Sequence, residues 1–373
     1  MSNHGPGSDG VSDEAGGPAS GPPAGPLDRP GAPLTAAFVS GDPGSASARV
    51  RVLDHLPGLA ARGITGELLA LPRGPLARRR LFAGLSGRDV VVLGRRLLGE
   101  GDLVALRRAA RALVLDLDDA LWARPFRPGG RRGPARLADA LRAVDLVVVG
   151  SGALRDELRG RHPRVRVLAS STPAPASSTP ELEPRPAGPE VRLVWTGSRS
   201  TLPYLEGLGP VLRALAREAP VALEVVADAP PDLPGVPVTF TPWSLPAEEA
   251  ALRRADVGLY PLAGDAWSRG KCAYKLLRYM AFGLPSVASR AGAGLETLDP
   301  PEAGLVADDE GEWLRALRTL AGDPALRRRM GVRARGLSLA RDGHLDRTRS
   351  LERILREAAR IGRDRGLHRP ATP

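Results

Sequence analysis

The stretch that decides the fold is residues 255–289, ADVGLYPLAGDAWSRGKCAYKLLRYMAFGLPSVAS. A short apolar run near its start predicts a strand, and a loop and a helical stretch follow. A Gly-Leu-Pro turn then leads into a second strand. We predict that Gly270 lies at the start of the helix, which would place Lys271 and Lys275 on one helical face. A strand, a helix and a second strand in this order indicate a parallel sheet.

Short apolar runs alternate with helical stretches over both halves of the chain. Strands are predicted at LTAAFVS, ITGELLAL, DVVVLG, ALVLDLD and DLVVVG in the first half, and at VRLVWTG, VALEVVAD, VPVTFT, DVGLYPL and PSVAS in the second. Residues 48–63 and 345–363 are predicted to be helical. Continuous Val/Leu runs separated by helices are typical of parallel sheets covered on both faces. The predicted fold class is α/β, with two Rossmann-like domains facing each other across a cleft.

Composition divides the chain into five parts. Residues 1–33 are rich in Gly, Pro, Ser and Ala and predict a disordered tail, because they cannot bury enough apolar surface. A Pro/Ser-rich stretch predicts a linker at 173–190, between an N-terminal domain at 34–172 and a C-terminal domain at 191–335. Residues 336–373 are predicted to form a helix that packs back toward the N-terminal domain, followed by a tail.

The net charge of +11 arises from 53 basic and 42 acidic residues, and 51 of the basic residues are Arg. Lys, Asn and Ile are rare, and all three have A/T-rich codons. This composition is typical of a GC-rich genome that fills ordinary surface positions with Arg, so the charge does not predict a nucleic-acid partner. The two lysines, Lys271 and Lys275, are nevertheless consecutive among the basic residues. Arg and Lys differ in chemistry, which makes this placement informative.

Several classes of protein are excluded by what the chain lacks. Cys272 is the only cysteine, which excludes a disulfide framework and a cysteine-built zinc site. The five histidines lie far apart, so we expect no metal and no other cofactor. No apolar run reaches the ~18 residues that a membrane-spanning helix needs. The N-terminus lacks the pattern of a signal peptide, and we expect a cytoplasmic protein.

Lys271 and Lys275 are candidates for binding a diphosphate. At a helix start, two ammonium groups and free backbone N–H groups would converge on one anion. The alternative is a solvated basic face. The segment GDAWSRGKC also resembles the triphosphate-binding loop G-x-x-x-x-G-K-[ST]. That loop is disfavoured, because Gly264 and Gly270 enclose five residues instead of four and Cys272 replaces the hydroxyl that would bind magnesium.

Seven segments match the motifs of one known family, in the same order. In the N-terminal half they are SARVRVLDHLPGLAARGI, LVLDLDDALW and DLVVVGSGALRDELR. In the C-terminal half they are VWTGSRSTLPYLEGLGPVL, GKCAYKLLRYMAFGLPSVAS, AGAGLETLDPPEAGLVAD and EWLRALRTLAGDPALRRRMG. Over residues 35–360 the chain thus resembles the group 1 (family 4) glycosyltransferases, which have the two-domain GT-B fold.

The resemblance implies an enzyme that moves a sugar from a nucleotide-diphosphate sugar to an acceptor hydroxyl with retention of anomeric configuration. Protein cations and helix N-termini would neutralise the leaving diphosphate, so no metal is expected. The expected partners are a nucleotide-sugar donor and a hydroxyl acceptor on a glycan, a lipid-linked sugar or a small molecule. The alternatives are an NDP-sugar epimerase of the same fold and a catalytically inactive binding protein.

The resemblance also assigns binding residues, with one departure. Many relatives carry two Glu eight residues apart across the donor-binding helix, and here Gly270 and Arg278 stand at those positions. We therefore predict that Lys271 and Lys275 bind the diphosphate instead. Other residues predicted to contact the diphosphate are Gly270, Gly197, Ser198, Arg199, Gly41 and Gly44, and those predicted to contact the sugar or ribose are Glu296 and Arg278.

Asp118 and Asp119 are the predicted catalytic residues. They follow an apolar strand, at the edge where ligands meet α/β sheets, and would orient hydroxyls of the sugar or the acceptor. The alternative is that Asp116, Asp118 and Asp119 cap a helix. Trp243 and Trp267 are predicted to be buried, with stacking on a base as the alternative.

Arginines cluster in the N-terminal domain, at Arg78, Arg79, Arg80, Arg95, Arg96, Arg107, Arg108 and Arg111. If the acceptor is lipid-linked, this face would dock on anionic headgroups at the inner surface of the cell membrane. The favoured interpretation is that these arginines simply occupy solvated positions.

Overall fold

A computed structural model describes residues 33–123, 132–170, 172, 188–298, 302–341 and 343–367. The predicted N-terminal tail up to residue 32, most of the predicted linker (173–187) and residues 368–373 lie outside the described residues. The described residues contain two six-stranded parallel sheets, each covered by helices on both faces. This arrangement confirms the predicted α/β class with two Rossmann-like domains.

The N-terminal sheet has the spatial order β2-β1-β3-β4-β5-β6. From β1 the sheet extends to β2 on one side and to β3 and the later strands on the other. A crevice therefore opens between β1 and β3 at their carboxyl ends, where ligands of α/β sheets bind. The elements of this domain are β1 (Leu34–Ser40), α1 (Ala46–Arg51), α2 (Leu56–Ala60), β2 (Ile64–Ala70), α3 (Pro75–Gly84), β3 (Val90–Gly94), α4 (Glu100–Ala109), β4 (Ala112–Leu117), α5 (Gly133–Ala143), β5 (Leu146–Val149), α6 (Gly152–Glu157) and β6 (Val165–Val167).

The helix predicted over residues 48–63 is interrupted in the structure. Helix α1 ends at Arg51, a 3₁₀ turn follows, and α2 begins at Leu56. Val52 leaves helical geometry, with φ −131° and ψ −66°. Pro57 lies in the first turn of α2, where its missing N–H breaks no hydrogen bond. The proline therefore favours a new helix start over the continuation of α1.

The C-terminal sheet has the spatial order β12-β11-β10-β7-β8-β9, again with all strands parallel. Strands β6 and β12 are short and were not predicted. The elements of this part are β7 (Val191–Thr196), α7 (Leu202–Glu206), α8 (Gly209–Glu218), β8 (Val221–Ala227), β9 (Val238–Pro242), α9 (Leu245–Arg254), β10 (Val257–Tyr260), α10 (Tyr274–Ala281), β11 (Ser286–Ser289), α11 (Gly294–Leu298), β12 (Gly304–Ala307), α12 (Glu310–Gly322), α13 (Pro324–Arg341) and α14 (His344–Leu367).

Each sheet has a hydrophobic core on both faces, because successive side chains of a strand point to opposite sides. In β1, Val39 packs with residues of α3, α4 and α5, whereas Phe38 packs on the other face with Leu351 and Leu355 of α14. Helix α14 therefore packs on the N-terminal domain, although it follows the C-terminal domain in sequence. None of the described helices is long and apolar enough to cross a membrane.

Candidate functional site

The two domains touch where the carboxyl end of β4 meets the segment between β10 and α10. Gly270 approaches Ala120 so closely that a Cβ on Gly270 would lie 2.7 Å from the Ala120 backbone nitrogen. The Cys272 Sγ donates a hydrogen bond to the Asp118 carbonyl oxygen (2.8 Å). Only glycine allows this approach, so Gly270 is explained by a contact between the domains.

The predicted helix start at Gly270 is wrong. A 3₁₀ turn ends at Gly270, and α10 begins at Tyr274. Ala273 precedes the helix with a left-handed φ of 54°, which is uncommon for a residue with a Cβ. Lys271 thus lies before the helix and Lys275 in its first turn, so the two do not share a helical face. The chain departs from helical geometry here because this segment is held against the N-terminal domain.

The Lys271 ammonium group crosses the domain boundary. Its Nζ lies 3.1 Å from the Asp119 carboxylate and 3.8 Å from the centre of the Trp267 ring. Trp267 is 1% exposed, which confirms its predicted burial. An ammonium group over an indole face is stabilised by the ring quadrupole. Lys271 therefore has an anionic partner and an aromatic support, one from each domain.

Asp118 and Asp119 share a cation from their own domain, Arg95. The Arg95 Nε lies 2.9 Å from Asp118 Oδ1, and its Nη2 lies 3.1 Å from Asp119 Oδ2. Burial alone would lower the pKa of Arg95, but the two carboxylates raise it above its usual value. Arg95 directly follows β3 and has a left-handed φ of 52°. Such strained residues cluster at functional sites.

The aspartates do not cap a helix, because their carboxylates are held by cations and a 3₁₀ turn follows them. Asp116 is buried against Arg51, whose Nε donates at 2.7 Å to Asp116 Oδ2. Burial would lower the pKa of Arg51, but Asp116 raises it above its ordinary value. The Asp116–Arg51 pair is thus a buried structural contact, whereas Asp118 and Asp119 lie at the domain boundary.

Lys275 has a different environment from Lys271. Its Nζ lies 4.0 Å from the centre of the Trp195 ring and donates to Thr201 Oγ1 at 3.2 Å. None of the described carboxylates forms an ion pair with it. Burial, together with the nearby charge of Lys271, lowers the pKa of Lys275 to about 7. An anion bound beside the Lys275 ammonium group would favour its charged form.

Three residues that the sequence predicts to contact the donor, Gly197, Ser198 and Arg199, lie in the loop after β7. A Cβ on Gly197 would lie 2.7 Å from Lys275 Nζ, so glycine lets the ammonium group reach the loop. The exposed Arg199 donates its backbone N–H to the Asp228 carboxylate. Gly197 thus lies beside Lys275, and the Ser198 backbone N–H donates to Thr201 Oγ1, the atom that accepts from Lys275.

Gly41 and Gly44 lie in the loop between β1 and α1, at the crevice of the N-terminal sheet. The guanidinium group of Arg96 fills the space that a Cβ on Gly41 would occupy. Gly44 is exposed, three residues before Ser47, whose hydroxyl donates to Asp118 Oδ2. This loop leads into α1, whose Ser47 contacts Asp118, so it lies in the N-terminal domain, whereas Lys275 lies in the C-terminal domain.

Glu296 and Arg278, predicted to contact the sugar or ribose, lie apart from each other. Glu296 belongs to α11, and its Oε2 accepts a hydrogen bond from Gly152 N across the domain boundary (3.2 Å). Arg278 is 1% exposed, and its Nε lies 3.2 Å from Glu248 Oε1. The structure thus places Arg278 in a buried ion pair inside the C-terminal domain, away from the aspartates.

Three contact residues of the site were missed in the sequence. Trp195 and Thr201 hold Lys275, and Arg95 bridges the two aspartates. The position of Arg95 directly after an apolar strand could have indicated a site residue. With so many arginines in the chain, this position alone did not distinguish it. Within the described residues, no group of three or more His, Cys, Asp or Glu side chains is arranged to hold a metal ion.

The two sheets and the lysines at the domain boundary define an α/β protein with a cation-lined cleft between two Rossmann-like domains. Residues 185–323 match the sequence model of the family described as "Glycosyl transferases group 1". The matched residues, which make up most of the C-terminal domain, are therefore similar to the group 1 glycosyltransferases. This match confirms the resemblance and the enzyme class predicted from the sequence. A sequence search of curated proteins finds no match.

Solved structures share the fold over most of the chain. A glycosyltransferase from Rickettsia africae aligns with a TM-score of 0.65 at 13% identity, over 87% of this chain and 98% of that chain. Sucrose-phosphate synthase from Thermosynechococcus elongatus gives a TM-score of 0.65 at 17% identity, with the same coverage. Anabaena Alr3699/HepE, in complex with UDP and glucose, gives 0.62 at 16% identity, over 87% of this chain and 100% of that chain. These similarities confirm the predicted GT-B fold.

Proposed function

We propose that the protein is a retaining, metal-independent glycosyltransferase that moves a sugar from a nucleotide-diphosphate sugar to an acceptor hydroxyl. The observation that carries the proposal is the placement of Lys271 and Lys275, the two lysines of the chain, between the facing sheets. Among the described residues Lys275 has no acidic partner, so its charge is available to a ligand.

The chemistry requires cations at this place. When the bond between the anomeric carbon and the diphosphate oxygen breaks, negative charge grows on the leaving group. Fixed cations beside that oxygen stabilise the transition state more than the ground state, and this difference accelerates the reaction. Lys271 and Lys275 supply two such cations, which is why we propose that no metal is needed.

Asp118 and Asp119 are proposed to orient the acceptor or sugar hydroxyls. Both carboxylates are engaged by Arg95, which makes them weak nucleophiles but leaves lone pairs that can accept hydroxyl hydrogens. Without a covalent intermediate on the enzyme, retention requires the acceptor hydroxyl to attack on the face that the diphosphate leaves.

Nucleotide binding provides the first test. Titration calorimetry with UDP, GDP and dTDP should show binding of at least one of them to the wild type. UDP is the first choice, because the HepE structure contains it. Replacing Lys271 and Lys275 with Ala should weaken this binding at least tenfold, since each charge-assisted hydrogen bond contributes about 1.5–3 kcal/mol. Unchanged affinity would remove the site assignment.

A matched control removes the same charge elsewhere. Arg79 and Arg80 are exposed on α3, so the Arg79→Ala, Arg80→Ala variant should bind nucleotide as the wild type does. Transfer itself is tested by NMR of the product, which should keep the donor's anomeric configuration, and by activity that persists in EDTA. Conversion of the NDP-sugar without an acceptor would instead identify an epimerase.

For a lipid-linked acceptor, we propose a cytoplasmic enzyme that contacts the inner membrane surface through α3. Leu76 at the start of α3 is 72% exposed, and Arg79 and Arg80 are exposed on the same helix. Arg78 and Arg107, from the same predicted cluster, are engaged by Asp102 (2.6 Å) and Asp145 (2.7 Å), so the basic face is smaller than the sequence suggests. Sedimentation with anionic vesicles should fall for Leu76→Ser, and equal binding to neutral vesicles would contradict this surface.

A further inference from the structure

The side chain of one tryptophan is exposed at the carboxyl edge of the C-terminal sheet. Trp243 directly follows β9 and is 42% exposed, so its predicted burial is wrong. Tryptophan is highly buried on average, so the exposure of this side chain calls for an explanation. Trp267, the other tryptophan considered for stacking, is buried beneath Lys271. The two tryptophans thus differ in burial, and only the Trp243 ring is accessible to a ligand.

The indole of Trp243 is held in place by a buried relay. Its Nε1–H donates to Glu248 Oε2 at 3.2 Å, and the other oxygen of Glu248 faces Arg278 Nε at 3.2 Å. Glu248 is 5% exposed and Arg278 is 1% exposed. Arg278 belongs to α10, the helix whose first turn carries Lys275. The exposed ring and the diphosphate-binding lysine are thus anchored to one helix.

Trp243 and Lys275 lie on the same edge of the C-terminal sheet. The Trp243 backbone N–H donates to Ala227 O at the end of β8, and the next residue, Asp228, holds the backbone of Arg199 in the loop after β7. Because all of these strands are parallel, the loops after β7, β8 and β9 line one edge. The ends of β7 and β9 are two strand spacings apart, about 10 Å. A ribose joins a base to a diphosphate across such a separation.

We propose that Trp243 is the stacking surface for the base of the nucleotide donor, and that Glu248 is a positioning residue that fixes the indole plane. This inference rests on the proposed function, since it concerns the same donor. Every base presents a π-face, so stacking supplies affinity for any nucleoside diphosphate and does not by itself choose the base. Trp243 would touch the ligand, whereas Glu248 would act through Trp243.

The test separates the base from the diphosphate. Calorimetry is performed with UDP and with inorganic pyrophosphate, which lacks a base, on the wild type, Trp243→Ala and Trp243→Phe. Trp243→Ala should weaken UDP binding about 5- to 150-fold, the range expected for loss of one stacked base, and leave pyrophosphate binding unchanged. Trp243→Phe should retain most of the UDP affinity. Glu248→Gln should weaken UDP binding less than Trp243→Ala and also leave pyrophosphate binding unchanged.

Each other outcome overturns the inference. Equal losses for UDP and pyrophosphate in Trp243→Ala would assign the indole a structural role. Unchanged UDP affinity would show that the base lies elsewhere. Wild-type protein that binds neither pyrophosphate nor any of UDP, GDP and dTDP overturns the proposed function and the stacking role together. Wild-type binding of UDP and pyrophosphate with an unaffected Trp243→Ala variant overturns the stacking role alone.

Discussion

Lys271 and Lys275 lie four residues apart, yet their ammonium groups have different partners. Lys271 reaches across the domain boundary to Asp119 and rests on Trp267. Lys275 stays within the C-terminal domain, over Trp195, with Thr201 as its hydrogen-bond acceptor. The first lysine is charge-compensated and the second is not. An arriving diphosphate would compete with Asp119 for Lys271, whereas none of the described carboxylates is in ion-pair contact with Lys275, which feels Glu248 and Asp119 only at longer range.

The largest expected effect comes from Lys275. Lys275→Met should weaken nucleoside-diphosphate binding about tenfold or more, because a charge in a poorly solvated site is removed. With the Lys275 pKa lowered to about 7, the free protein loses this charge as pH rises above 7. Wild-type affinity should therefore fall between pH 7.5 and 9, and binding at pH 8 should take up protons. Calorimetry in buffers of different ionisation enthalpy measures both quantities.

Lys275→Met provides the matched control for this pH dependence. Its affinity should be nearly independent of pH over the same interval, because the titrating group is absent. Lys271→Met, in contrast, should keep a fall in affinity but move it to higher pH, because the charge of Lys271 helps to lower the pKa of Lys275. A wild-type affinity that stays constant from pH 7.5 to 9 would contradict the lowered pKa of Lys275.

An intermediate effect on nucleotide binding is expected when the Asp119 carboxylate is replaced. Asp119→Asn cannot form the ion pair with Lys271, so the lysine becomes available to the donor. Nucleoside-diphosphate binding should tighten about threefold to tenfold, in line with the loss of one partly exposed ion pair. The transfer rate should fall at the same time, because a proposed hydroxyl-orienting carboxylate is lost. Steady-state kinetics should therefore show lower kcat together with lower donor KM.

Asp118→Asn is the comparison variant for this result. It leaves the Asp119–Lys271 pair in place, so donor affinity should remain close to that of the wild type. If both asparagine variants bind the donor as the wild type does, Asp119 does not compete with the diphosphate.

The smallest expected effect concerns the aromatic supports. Trp195→Phe should weaken nucleotide binding about twofold to fivefold, since phenylalanine attracts a cation less strongly than tryptophan. It should also move the fall in affinity to lower pH, because the charged form of Lys275 loses part of its stabilisation. Trp267→Phe, beneath Lys271, should leave that pH range unchanged. Equal shifts in both variants would mean that the rings act through general packing.

Local sequence patterns were sufficient to predict much of the fold. The ten predicted strands all occur. Most of them are buried parallel strands, which leave continuous Val/Leu runs in the sequence, whereas β9 is a largely exposed edge strand. β6 was not predicted, since its sequence, Val-Arg-Val, is mostly exposed and carries no such run. The helix predicted to start at Gly270 was wrong, because contact with Ala120 across the domain boundary overrides helical propensity there.

The candidate site was only partly accessible to sequence reasoning. The structure brings Lys271 to Asp119 and links Asp118 and Asp119 to Arg95, whereas Lys275 lies within the C-terminal domain beside Thr201. Their assigned roles remain predictions. The exposure of Trp243 could not be predicted, because it depends on Glu248 and Arg278 holding the indole at the edge of the sheet.

The sequence by itself determined the two sheets, the order of their strands along the chain and the position of the two lysines among 51 arginines. These features depend on residue type and short-range periodicity. Only the tertiary structure decided that Lys271 meets Asp119, 152 residues earlier, and that Lys275 is left without an acidic partner among the described residues. Such pairings depend on how distant parts of the chain pack together, because the distance between two charges sets their interaction and their pKa values.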